Sequence, residues 1–275
     1  MQISPRYDGP PVLDVEFAGD PAGPLVRQRR RLAEALRLLT DDQWAAPSRC
    51  EGWTVQDVVS HLIGTDGFWT LSFAAGLKGE PTRYLVGFDP VATPAQMVGG
   101  MRSLTPAEVL AQFVEKATNL EQVLMQVEGS QWGVLAEAPP GHIALRAATL
   151  HALWDGWVHE RDILIPLGLA PAEEADELDL VLRYAVGLSP AFFCATGSHK
   201  TAGLSVTATD PAVSLLVEVG DSVRVHDGTA PDGPHLAGRA VDLIEGLSHR
   251  REFAHGLSAD DAWLLDGLRQ VFDQV

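Results

Sequence analysis

The chain has little cysteine: two in 275 residues, Cys50 and Cys194. Two thiols outside any CxxC spacing cannot frame a disulfide-stapled fold, and they predict a reducing, cytoplasmic setting. Basic residues are also scarce, with 20 Lys and Arg against 37 Asp and Glu, a net charge of −17. Such a field repels phosphate backbones and anionic lipid, so neither nucleic acid nor a membrane surface is expected as a partner. No run of about eighteen consecutive apolar residues occurs, so no membrane span is expected. The opening MQISPRYDGPPVLDVEF has no apolar stretch of the kind a secretory signal needs. Several catalytic signatures are missing too. GLSVT, GLSHR and GLSAD each lack the closing glycine of a nucleophile elbow. There is no GxGxxG, P-loop or HExxH, no internal repeat and no low-complexity tract.

What remains is a chain with 46% hydrophobic residues, enough for one large or two medium cores. Residues 1–24 hold Gly, Pro and Asp without a helical period and read as an irregular arm. A helix is expected from Pro24 through Leu39, and its basic start (Arg27, Arg29, Arg30, Arg31) reads as a solvated face rather than an anion site. Thr54 caps a second helix to about Leu77, with Asp57 near the positive end of the dipole. Residues 79–104 read as a long loop. TPAE at 105–108 is a capping box opening a third helix to about Val127. A loop carrying PPGH (139–142) precedes a fourth helix, about Ile143–Leu164, stopped by Pro166 and Gly168. A fifth follows over about Ala172–Leu188. Past Gly197 the pattern shifts to short β-branched runs, GLSVTATD, VSLLVEV and SVRVHDG, then to two helices, AGRAVDLIEGLSHR and one starting at Ser258. The fold class predicted is mainly α: a helical domain over 25–190, then a small α/β domain over 197–275.

One stretch of the fourth helix stands apart. HALWDGWVHERD (151–162) is apolar, yet it sets His151, Asp155 and His159 four residues apart, with Asp162 three further on. On a helix these share one face. The i, i+4 pair Asp155 and His159 can give one ion two ligands from one helix. A third must come from elsewhere, and His61, set mid-helix among Val58, Val59, Leu62 and Ile63, is the best placed. Two imidazoles and a carboxylate with open positions suit Zn²⁺ or another divalent ion. The competing reading is a solvated polar stripe. His151 and Asp162 read as partners that fix an imidazole tautomer, as a fourth ligand in the case of His151, or as members of that stripe. Nothing in the sequence marks Cys50 as a nucleophile.

Two segments carry a resemblance. QWAAPSRCEGWTVQDVVSHLIG, with Trp44, a Pro-Ser-x-Cys turn, Gly-Trp-Thr-Val, Asp57 and His61-Leu62, resembles the N-terminal signature of the mycothiol-dependent maleylpyruvate isomerase family of the DinB-like superfamily. LWDGWVHERDILIPLG is similar to that family's second signature, and HLAGRAVDLIEGLSHRR resembles its smaller sterol-carrier-like domain. The resemblance implies a DinB-like four-helix bundle with a divalent metal, zinc first among the candidates, held by His61, Asp155 and His159. Asp155 stands where the family commonly has Glu, one methylene longer. The resemblance also implies an arginine from the C-terminal region facing the site, for which Arg250 and Arg239 are the candidates. It implies mycothiol or a similar low-molecular-weight thiol as cosubstrate, used for cis–trans isomerisation or S-transfer on a small organic substrate. Two other readings stand beside this one: a non-catalytic metal- or ligand-binding protein, and a metal-dependent hydrolase that needs no thiol. Monomer and homodimer are both compatible with the sequence.

Overall fold

The long helices begin where side chains satisfy their first free amides. In the computed structural model, which describes residues 3–252 and 255–271, Thr54 accepts from the Asp57 amide and Asp57 accepts in return from the Thr54 amide. This capping box starts helix α3 (Val55–Leu77). Thr105 and Glu108 do the same for α5 (Pro106–Leu124), with Pro106 at its first position. Helix α1 (Ala22–Arg37) is followed by the short α2 (Asp41–Trp44), and α6 covers Leu145–Leu164. Both α1 and α3 pack against α5 and α6. Leu32, Leu36, Val58, Leu62, Phe113 and Ile163 fill part of the space between them.

The second part of the chain is built on a mixed five-stranded sheet. Strands β4 (Ala202–Thr209), β5 (Val213–Val219) and β6 (Val223–Asp227) form an antiparallel meander. Strand β7 (His235–Arg239) adds parallel to β4 at one edge. At the other edge β1 (Leu13–Val15) pairs parallel with β6. Helix α7 (Ala175–Thr196) lies on this sheet and also packs on α6. Helices α8 (Ala240–Leu247) and α9 (Trp263–Val271) pack on α7. The sheet and the buried face of α6 share one hydrophobic cluster, which includes Leu13, Leu150, Leu182, Val206, Val225 and Ile244.

Several elements depart from the sequence expectation. The N-terminal segment is not wholly irregular, since Leu13–Val15 forms β1. The stretch read as a loop carrying PPGH (139–142) holds a hairpin, β2 (Leu135–Ala138) with β3 (Gly141–Ala144), turning at Pro139-Pro140, and the helix after it starts at Leu145 rather than Ile143. Gly141 has φ 134°, and a Cβ there would sit 2.1 Å from the Arg6 carbonyl oxygen, so the arm can cross at that point. The expected long loop contains α4 (Ala92–Met101). Its Gly99 and Gly100 lower its propensity, but packing on α3 holds it, with Val98 buried and the Met97 methyl seated where a Cβ on Gly64 would fall. Helix α7 runs through Pro190, where the Gly267 amide of α9 donates to Ser189 Oγ at 2.7 Å. By length and composition α7 could cross a membrane (mean hydropathy 1.4), yet 89% of that window is buried within the protein. The last helix starts at Trp263 rather than Ser258.

The basic start of α1 is a solvated face only in part: Arg27 and Arg30 are exposed, but Arg29 and Arg31 turn inward. Arg29 is 3% exposed and holds Asp66 of α3 at 2.9 Å. Arg31 pairs with Glu160 and Glu177, and Arg27 with Glu177 and Asp176. Room for Arg29 is made at Gly156 of α6, where a Cβ would fall 1.5 Å from Arg29 Nη1. The guanidinium also donates to the Ala152 carbonyl at 3.1 Å.

Candidate metal centre

Helices α3 and α6 face each other, and their facing surfaces bring the three sequence-derived ligands together. His61 projects from α3, with its ring against Trp53 at a centroid distance of 5.5 Å. Asp155 and His159 project from consecutive turns of α6. Asp155 Oδ1 lies 3.7 Å from His61 Nε2 and 3.5 Å from His159 Nε2. One ligand atom from each of the three residues falls within 4.8 Å of the others. These separations are long for hydrogen bonds. They suit a shared ion, since ligand atoms about 2.1 Å from a tetrahedral centre lie ~3.4 Å apart. A further sign is Asp155 Oδ2, which is buried without a hydrogen-bond partner. A native carboxylate oxygen is rarely left that way. The shorter Asp side chain therefore still reaches the point on which both imidazoles converge.

The electrostatics agree with a cation-seeking site. Burial works against the Asp155 carboxylate, but His159 and His61 hold its pKa well below the carboxylate range. Burial also opposes a charged His159, but Asp155, Asp162 and Cys50 draw its pKa well above that of free imidazole. The potential at this point favours positive charge, whether proton or metal. Behind Asp155 the Arg29–Asp66 pair is charge-balanced and buried.

Asp162 sits on the far side of His159 and orients it. Its Oδ2 lies 3.0 Å from His159 Nδ1. Burial would raise the Asp162 pKa, but His159 and Arg250 keep it far below the usual range, so the residue is ionised. An ionised acceptor requires a proton on Nδ1, so Nε2, which faces His61 and Asp155, is the nitrogen that would give up its proton to an ion. Arg250 closes this arrangement. Its Nε donates to Asp162 Oδ1 at 2.9 Å and its Nη2 to Oδ2 at 2.9 Å. The chain turns toward the site through His249, which has φ 55° just after α8. A network of charges between the two parts of the fold fixes that turn. Glu245 accepts from Arg49 at 2.9 and 2.7 Å and from Arg161 at 2.7 Å. Arg49 also donates to the Arg250 carbonyl at 2.9 Å. Arg239 lies elsewhere: it precedes α8, is half exposed, pairs with Glu173 and Asp210, and does not line the cavity.

Two residues have placements that the sequence did not give. Cys50 Sγ lies 3.3 Å from Asp162 Oδ2 and 3.8 Å from both His159 Nδ1 and Arg250 Nη2. Cys50, His159 and Asp162 form a second group with metal-ligand spacing. There, however, the Arg250 guanidinium already supplies the positive charge, so the His61 group is the better seat for an ion. The only sequence sign was the position of Cys50 in the turn before Gly52-Trp53. His151 is not aimed at His61. Its Nδ1 lies 2.6 Å from the Tyr184 hydroxyl, and its ring is tilted against Trp69 and edge-on to Trp154. Burial lowers its pKa to about 4, so it is neutral at pH 7.

The three converging residues open onto a cavity of about 710 Å³. Its walls come from α3, α4, α6, the 79–91 segment and the turn after α8. Glu137 holds the 79–91 segment over it, accepting from the Tyr7 and Thr82 hydroxyls, both at 2.6 Å, and from the Tyr84 and Leu85 amides at 2.9 and 2.8 Å.

Comparison with known proteins identifies the family and the fold. Residues 25–164 match the family model described as the mycothiol maleylpyruvate isomerase N-terminal domain. A crystal structure of the mycothiol-dependent maleylpyruvate isomerase superposes with a TM-score of 0.58 at 12% identity, covering 82% of this chain and 86% of the other. A histidine-to-alanine mutant of that enzyme gives the same values. At that identity the likeness is one of fold. No curated protein sequence matches the chain.

Proposed function

The chain belongs to the mycothiol maleylpyruvate isomerase family, and from that premise we propose that it is a metal-dependent enzyme using a low-molecular-weight thiol, mycothiol or a close analogue, for isomerisation or S-transfer on a small organic substrate. The observation that carries this reading is the convergence of the His61 and His159 imidazoles on the Asp155 carboxylate, whose second oxygen is buried without a partner, at the wall of a cavity. In this reading α1, α3, α5 and α6 are the four-helix bundle of the DinB-like family. Residues 25–190 form the metal-binding domain, and 197–275 the smaller α/β domain that lends Arg250.

His61, Asp155 and His159 would hold the ion, zinc being the first candidate for two imidazoles and one carboxylate. A divalent ion there would keep a thiol placed against it deprotonated at neutral pH, ready to add to a conjugated double bond or displace a leaving group. The remaining work falls to the chain. Asp162 keeps the His159 proton on Nδ1. Arg250 holds Asp162 through Nε and Nη2, and its Nη1, which also donates to the Ser248 carbonyl at 3.4 Å, keeps one N–H to meet negative charge developing on a substrate oxygen. The segment held by Glu137 limits water at the cavity mouth. Both cysteines are free thiols, which suits a reducing, cytoplasmic setting where such a cosubstrate persists.

A thiol-independent hydrolase is the reading to separate from this one. Turnover assayed with and without added thiol does so. The proposal expects none without thiol; turnover unchanged by its removal overturns it.

A further inference from the structure

The cavity walls say what kind of acceptor they suit. The cavity is lined by Trp53, Phe68, Trp69, Phe88 and Trp154. The rim is apolar as well: Leu71, Tyr84, Val91 and Met97 are 56%, 61%, 43% and 45% exposed, and all four border the opening. Large apolar side chains left in water around one opening mark a surface that meets apolar ligand.

The charges point the same way. Arg250 is the only Arg or Lys among the described residues lining the cavity, and Asp162 neutralises it in a two-pronged pair. Arg29 behind the site is spent on Asp66. A divalent ion would be balanced by Asp155 and a bound thiolate. No positive charge is then left over for a substrate carboxylate. A dianion would enter, uncompensated, a chain of net charge −17. The one Arg250 N–H left by Asp162, Cys50 and the Ser248 carbonyl can still hydrogen-bond a neutral carbonyl.

We infer that this cavity takes an uncharged, apolar electrophile, an aryl or alkyl ketone or enone, rather than a dicarboxylate. The inference rests on the proposed function in treating the cavity as the acceptor's seat and in counting an ion and a thiolate there; the apolar lining and the Arg250–Asp162 pair stand without it.

Isothermal titration of the full chain with benzylideneacetone, a neutral aryl enone, and with maleate, a dianion, tests it. The enone is expected to bind at least about tenfold more tightly, as burial of a phenyl ring implies. Met97→Lys and Leu71→Lys, both at the exposed rim, are expected to narrow that ratio by weakening the enone and strengthening maleate. Equal or tighter maleate binding overturns the inference, as does failure of the enone to saturate or a ratio unmoved in both variants. Metal content, read separately by elemental analysis, keeps the two claims apart. A metal-loaded protein that prefers maleate removes the inference and leaves the proposed function. A metal-free protein that prefers the enone does the reverse.

Discussion

Asp162→Asn probes the residue that joins the candidate centre to the rest of the fold. Asparagine keeps the volume and an oxygen for the His159 Nδ1 proton, but removes the charge. Two separable losses are expected. First, the carboxylate that orients and enriches His159 is gone, and loss of such an outer partner lowers metal affinity by about 10–100-fold, or ~1.4–2.7 kcal/mol. Second, Arg250, 7% exposed, loses its counter-charge. Stranding a buried charge in this way costs about 3–5 kcal/mol of stability. Against a typical total of about 5–15 kcal/mol, the variant folds with a reduced margin. The two losses separate in the double variant Asp162→Asn, Arg250→Met. Removing both charges restores most of the stability, while zinc affinity stays low because His159 still lacks its carboxylate. Chelator competition reads the affinity, and denaturant unfolding of the chelator-treated protein reads the stability. The reasoning is refuted if the single variant binds zinc as tightly as the parent, or if affinity returns with stability in the double variant.

Two further outcomes follow from buried groups outside the ligand set. His151 has its pKa lowered from 6.5 to about 4 by burial, a difference worth roughly 3 kcal/mol. The unfolded chain takes up this proton near pH 6.5 and the native imidazole does not until about 4, so stability is full above pH 6.5, falls through that window and levels below it. His151→Gln should flatten this part of the profile; subtracting variant from parent cancels the similar contribution of His249, and an unchanged slope would show that His151 titrates freely in the native state. Glu137→Ala leaves four donors without their acceptor, including the amides of Tyr84 and Leu85. It should cost about 3 kcal/mol or more and speed hydrogen exchange at residues 84 and 85; protection like the parent's would mean that something other than Glu137 holds the segment.

The convergence of the candidate ligands was legible because helical geometry is local. A spacing of four places Asp155 and His159 on one face whatever the tertiary structure, and the Thr54 capping box fixed the helix that carries His61. What could not be read depends on contacts between distant segments. Arg29 looked like surface because its partner Asp66 lies on another helix and its space is made by the missing side chain of Gly156. Cys50 sits in a turn that meets α6 only after folding. Arg250 and Arg239 lie close in sequence, but only the turn at His249 sends one of them inward. Helix α4 carries two glycines and is held by α3, so local propensity gave no sign of it.

The central claim is that His61, Asp155 and His159 share one divalent ion. Elemental analysis of the full chain, purified without chelator, tests it together with His61→Ala, whose folding is checked by circular dichroism. About one divalent ion per parent chain and nearly none in a folded variant is the expected result. A folded parent with no ion, whose melting temperature does not move on adding zinc, would contradict it.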